Sequence, residues 1–222
     1  MKIRTMILSL LATLLMVGCD EHVDVVDLSL KVGNVYRVDG SIVPPSHHVG
    51  QRDEAPQAVG VVVAVGTTSD KYTALVMALE DLDESYWFSG ITDDTNVSTD
   101  VKAFNGKDNT AMLLSEYAKN KELDPMGAIM AGAYQAGGIT GWHLPSVGEM
   151  LAVVNNRETV SNTLKMLHVT GFTGEWYLTS TADGTSSETK MLYNYCIIMP
   201  EGRVNSKLKT EQHKVRPFMI IR

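Results

Sequence analysis

Residues 59–65 hold five valines with one glycine and one alanine. A short apolar run of this kind suits a core strand, and β-branched side chains favour that state over helix. Gly66-Thr67-Thr68-Ser69-Asp70 closes the run as a turn, and residues 72–79 follow as a second apolar stretch. Together they predict a hairpin of two core strands. The rest of the chain must cover that hairpin, and its patterns show how. Residues 85–89 read as a short aromatic strand. Residues 90–109 are polar and form a long exposed loop, without the spaced acids of an EF-hand. Helices are predicted over 108–122 and 126–135, the second ended by Gly137-Gly138.

Gly141-Trp142-His143-Leu144-Pro145-Ser146 comes next, with Glu149 three residues beyond the serine. Ser-x-x-Glu is a capping box: the hydroxyl accepts the N3 amide and the carboxylate accepts the N-cap amide. A helix over 147–155 is predicted behind it, then one or two helical turns over 162–168. Residues 176–180, 190–199 and 215–221 read as strands separated by polar loops. Hairpin, loop, helices and then strands define an α+β fold rather than the βαβ alternation of a doubly wound sheet. Neither a GxGxxG nor a P-loop sequence occurs.

The N-terminus has a separate logic. Lys2 and Arg4 precede an uncharged stretch over 6–17. Twelve residues are too few to span a bilayer, which takes ~20, and suit the apolar core of an export signal. The stretch ends Val17-Gly18-Cys19, the small-residue-then-cysteine pattern of a lipobox. Residues 1–18 are therefore expected to be a lipoprotein signal peptide, and Cys19 the lipid anchor. Removing Lys2 and Arg4 leaves 17 basic against 26 acidic residues, a net charge of -9. That balance disfavours nucleic acid as a partner. Asp20-Glu21-His22-Val23-Asp24-Val25-Val26-Asp27 makes the start of 19–57 an acidic tether and lead-in, within which 32–40 suggests a short strand and 44–56 a loop. His47-His48 lies in that loop without visible co-ligands. Cys196, flanked by Tyr195 and Ile197, reads as a packed, inert thiol. No catalytic residue, metal ligand or cofactor is expected.

Four phrases, in order over 58–222, resemble the Lcl C-terminal domain family. They are Asn105-Gly106-Lys107-Asp108-Asn109-Thr110, the phrase from Gly141 to Ser146 with Glu149, Trp176-Tyr177-Leu178-Thr179-Ser180-Thr181, and Val215-Arg216-Pro217-Phe218. The resemblance implies a C-type-lectin-like domain over 58–222, with two main helices packed on mixed and antiparallel strands. Its structural signature falls on Trp142, Leu144, Pro145, Ser146, Glu149, Trp176 and Arg216. The cysteine pair of the formylglycine-generating relatives is absent, as are the calcium-ligating phrases of the sugar-binding ones.

Within that frame Trp142 and Trp176 are expected to anchor the core, and Arg216 to pair with a carboxylate, Glu149 being one candidate. Binding falls to aromatic rings beside polar loops. Tyr193 and Tyr195 share one face of a strand, Trp87 borders the long polar loop, and Asn194 supplies hydrogen bonds. The loops at 91–109, 182–189 and 200–213 are expected to carry the ligand contacts. The expected function is a surface-exposed, outer-membrane lipoprotein, held to the membrane by its N-terminal lipid and acting as a non-catalytic adhesion or ligand-binding module for a glycan or host protein. The alternative is a structural or assembly subunit of a fimbria or outer-membrane complex.

Overall fold

The computed structural model describes residues 26–67, 72–90, 96–120 and 124–222. The expected signal peptide, Cys19 and the acidic run up to Val25 lie outside the described residues. So do residues 91–95 of the polar loop and the last two residues of the helix expected over 108–122.

The fold is α+β, with six α-helices and two sheets among the described residues. The valine run forms β3 (Ala58–Val65) and the following stretch β4 (Ala74–Ala78), paired antiparallel. They are the centre of a six-stranded sheet whose order is β2-β1-β3-β4-β11-β6. β11 is Phe218–Ile221 and β6 is Trp142–His143. Leu75 and Met77 face one way, toward Val153 of α4 (Val147–Asn155) and Leu164 of α5 (Arg157–Met166). Ala74, Val76 and Ala78 face the other way, toward Trp142 and Tyr36. The strict alternation of the pleat thus serves two hydrophobic clusters at once.

β1 (Val35–Arg37) and β2 (Ile42–Val43) correct the expected domain boundary. β1 is buried and pairs with both β2 and β3, so the lead-in belongs to the folded unit from about residue 33 onward. Gly33 shows why this join is close. Its φ is +90°, its amide donates to the Val62 carbonyl at 2.8 Å, and an added Cβ would stand 2.7 Å from Thr159. The expected loop over 44–56 also contains order: α1 (Pro45–Gly50), with proline at its first turn, and a 3-10 turn at Arg52–Glu54.

The second sheet runs β5-β10-β7-β8-β9, with only the β7–β10 pair parallel. Its members are β5 (Leu82–Ser85), β7 (Trp176–Ala182), β8 (Tyr193–Ile198), β9 (Arg203–Leu208) and β10 (His213–Val215). The single strand expected over 215–221 is split. Pro217 has no amide to give a ladder, so Val215 ends in one sheet and Phe218 begins in the other. β9 lies in a segment expected to be loop. Its residues are all exposed or half-exposed, so this edge strand carries no apolar pattern to read. α2 (Gly106–Lys119) and α3 (Met126–Ala133) cover the second sheet through Leu113, Ala128 and Ala131, which meet Leu178 and Cys196.

The capping box is present as expected. Ser146 Oγ accepts the Glu149 amide at 3.3 Å, and Glu149 Oε2 accepts the Ser146 amide at 3.0 Å. The same carboxylate does more. Its Oε1 accepts the Gly106 amide at 3.2 Å, and Oε2 lies 3.1 Å from His143 Nε2. Glu149 is fully buried and His143 is 1% exposed. A buried carboxylate is tolerable only when its lone pairs are filled, and here the start of α2, β6 and the start of α4 all supply donors. Leu144 adds a two-way exchange with Thr110 of α2, and the Pro145 carbonyl accepts the Ser180 amide of β7 at 2.7 Å.

Trp142 is a core anchor. It is 3% exposed, its Nε1 donates to the Ile139 carbonyl at 3.0 Å, and Tyr134 stands edge-on at 5.2 Å. Trp142→Ala is expected to cost about 3–5 kcal/mol, read from the midpoint of urea unfolding. Glu149→Ala strands three donors and is expected to cost about 3–5 kcal/mol as well. A loss near that of an ordinary helix-cap deletion, ~1 kcal/mol, would show that the carboxylate serves the cap alone.

Candidate functional site

Two of the four expected ligand residues are interior. Trp87 is 1% exposed; its Nε1 donates to the Thr179 carbonyl at 2.8 Å and Lys209 Nζ lies 4.7 Å from its ring centre. Asn194 is fully buried and donates to the Tyr195 carbonyl and the Cys196 sulfur. Both are corrected to structural residues. Position beside a polar loop misled for Trp87, because the backbone at 87–88 turns inward: both amides donate to the Lys209 carbonyl. Asn194 points to the covered face of β8, opposite the tyrosines. Cys196 shares that face, and burial pushes its thiol up to about 12, so it is inert at neutral pH.

Trp176 is corrected in the other direction. It is half-buried at the end of β7, packed on the margin of the second-sheet core. Lys207 Nζ and Arg203 Cζ approach its ring at 4.8 and 5.7 Å. Arg216 does not pair with Glu149. Its Nε donates to Asp81, which also accepts the Tyr177 hydroxyl at 2.7 Å. Burial and the Asp81 charge raise the Tyr177 hydroxyl well above its ordinary value. Glu149 is already saturated, and Arg216 stands at the crossing between the sheets, next to the turn that carries Asp81.

Tyr193 and Tyr195 remain half-buried on one face of β8, across from Leu208 and Ser206 of β9. Tyr195 hydrogen-bonds Asp183, which also accepts from Ser206 Oγ and from the Thr185 amide and hydroxyl. Asp183 thereby fixes the turn after β7. That turn leads into α6 (Ser187–Leu192), across residues expected to be loop up to 189 and strand from 190. Its cap is Ser186 with Thr189 at N3, a variant of the capping box in which a hydroxyl replaces the carboxylate. The serine-x-x-threonine spacing was the available signal.

The loop at 96–100 is bound to the same turn. The Ala182 amide donates to the Ser98 carbonyl at 3.1 Å. Gly184 lies so close to Thr99 that an added Cβ would stand 2.5 Å from its Cβ. Between them is a pocket of about 480 Å³, lined by Thr99, Gly184, Ser186, Ser187, Lys190 and Met191. Three hydroxyl residues and an ammonium suit a polar, oxygen-rich ligand. Two of the three segments expected to carry ligand contacts thus meet at one pocket, while 200–213 contributes β9 instead. Among the described residues no three His, Cys, Asp or Glu side chains are grouped to hold a metal ion.

The chain matches no protein-family model and no curated protein.

Burial raises the Asp183 carboxyl, but hydrogen bonds from Ser206, Thr185 and Tyr195 outweigh that and hold it below the ordinary 3.8. Its stabilising contribution is therefore complete above the unfolded value and lost as pH falls from there through the folded value. Asp183→Asn is expected to lower the melting temperature at pH 7 and to leave it closer to wild type at pH 3. An equal deficit at both pH values would show that the charge is irrelevant.

Proposed function

We propose that the chain is a surface lipoprotein, anchored to the outer membrane through a lipid on Cys19, whose C-type-lectin-like domain is a non-catalytic adhesion or binding module for a glycan or host protein. The carrying observation is the hydroxyl-lined pocket between residues 96–100 and α6. Its walls are locked by the Ala182–Ser98 hydrogen bond and the Gly184–Thr99 contact. Loops held on a rigid scaffold are the usual place for recognition, and pre-set walls lower the ordering cost of binding. The hydroxyls offer donors and acceptors to a sugar or a polar peptide. The buried Cys196, His143 and Glu149 support binding rather than catalysis, because a reacting group must reach its substrate.

One observation favours a second reading, an assembly subunit of a fimbria or outer-membrane complex. β9 is the outer strand of its sheet and carries Leu208 at 40% exposure, and sheet edges are natural joining surfaces. Crosslinking on cells separates the two: an assembly subunit gives discrete adducts through β9, and a binder does not.

Ser187→Trp fills the pocket from an exposed position. It is expected to abolish binding on a glycan and host-matrix array while the melting temperature stays within a few degrees of wild type. Unchanged array binding removes the pocket from the proposal. For the anchor, Cys19→Ser is expected to abolish metabolic labelling with an alkyne fatty acid, and equal labelling of mutant and parent refutes the lipid.

A further inference from the structure

A second cavity lies on the far side of the domain core, where α4 turns into α5. It encloses about 410 Å³, within the ~300–1,000 Å³ usual for small-molecule sites. Its floor is apolar: Val153, Val160 and Leu164 line it, each at most 2% exposed overall. Phe172 and Pro200 wall the opposite side. Phe172 is held in place, edge-on to Tyr177 at 5.1 Å and with Arg216 Cζ 4.6 Å over its ring.

The rim carries one charge of each sign. Arg157 and Glu158 are the first two residues of α5, both exposed. Neither has a hydrogen-bond or ion-pair partner among the described residues. Consecutive helix residues do not face each other, and no ion pair joins the two. Ser161, one turn after Arg157, adds a hydroxyl to the same rim. Asn156, the N-cap of α5, gives its side-chain amide to the Val63 and Ala152 carbonyls and makes no cap hydrogen bond.

We propose that this groove binds a free apolar α-amino acid of the leucine or phenylalanine type. Its side chain rests on Val153, Val160, Leu164 and Phe172, its carboxylate meets Arg157, and its ammonium meets Glu158. The charge pattern selects this class. A simple fatty acid would set a carboxylate against Glu158, an alkylamine would set an ammonium against Arg157, and a sugar would leave the apolar floor unused. Charged hydrogen bonds at both ends supply orientation, and the floor supplies the hydrophobic driving force. This site is separate from the hydroxyl-lined pocket and does not rest on it.

Isothermal titration of the full chain carrying Cys19→Ser, with L-leucine and L-phenylalanine, tests the proposal. Saturable binding of at least one is expected. Glycine, N-acetyl-leucine amide and 4-methylpentanoate should each bind at least about tenfold more weakly, the scale of one charged hydrogen bond. Arg157→Gln and Glu158→Gln should each weaken leucine by a similar factor, and Ser161→Trp should abolish it without altering the melting temperature by more than a few degrees. The proposal is overturned if the parent takes up neither amino acid. Equal binding of the neutral amide, or undiminished binding by Ser161→Trp, overturns it too. Ser161→Trp leaves the hydroxyl-lined pocket untouched, so array binding by this variant separates failure here from failure of the adhesion reading.

Discussion

The Glu149 carboxylate is where three elements become one structure. Each of its oxygens is spoken for: Gly106 at the start of α2, Ser146 at the start of α4, and His143 in β6. The cap and the His143 contact span at most six residues, but Gly106 lies 43 residues upstream. The carboxylate therefore converts a short-range helix signal into a tertiary joint. It also constrains what stands nearby. A Cβ on Gly106 would come 2.2 Å from Glu149 Oε2 and 2.8 Å from the Leu144 carbonyl, so glycine is required by space rather than by backbone conformation. His143 is enclosed beside this acid, with Nε2 3.1 Å from Glu149 Oε2 and Nδ1 buried without a hydrogen-bond partner.

A second joint lies at Arg216-Pro217, where the chain leaves one sheet and enters the other. Proline ends the β10 ladder, and its carbonyl still accepts the Ala78 amide of the first sheet at 2.9 Å. Arg216 is 2% exposed and meets Asp81 and the Phe172 ring. Asp81 in turn holds Tyr177, whose ring reaches the core shared by both sheets and α4. Covalent crossing, ion pair and aromatic contact thus fix the same relation between sheets. Burying an arginine is costly without such partners, and here they come from Asp81 and Phe172, both distant in sequence.

How far this was legible depends on the range of each signal. The valine hairpin, α2, α4 and the capping box come from local rules; α4 stands over 147–155 as expected, while α2 begins at Gly106 and ends at Lys119 rather than spanning 108–122. Trp142 was readable because an apolar neighbour, Leu144, shares its strand phase. Trp87 and Asn194 were misread because burial there is decided by distant backbone: the Lys209 carbonyl for one, the covered face of β8 for the other. β9 was invisible because both its faces are partly wet, and α6 because threonine stood where a cap usually carries Glu or Gln. The polar pocket was half-legible. Composition pointed to the 91–109 and 182–189 segments, but only the Ala182–Ser98 pairing shows that they meet. The groove at α5 carried no sequence signal, since its floor residues look like any core positions on amphipathic helices.

The pairing of β1 inside the sheet has a consequence for reach. With the lead-in counted as free tether up to residue 57, the domain would stand far from an anchor at Cys19. Gly33 is instead clamped by Val62 and Thr163, which leaves thirteen residues between the proposed anchor at Cys19 and this fixed point. Fully extended, that length of chain spans at most ~50 Å. If Cys19 carries the proposed lipid, a domain on so short a leash works close to the membrane. Under that proposal it would meet ligands that come to the cell envelope rather than sampling far beyond it.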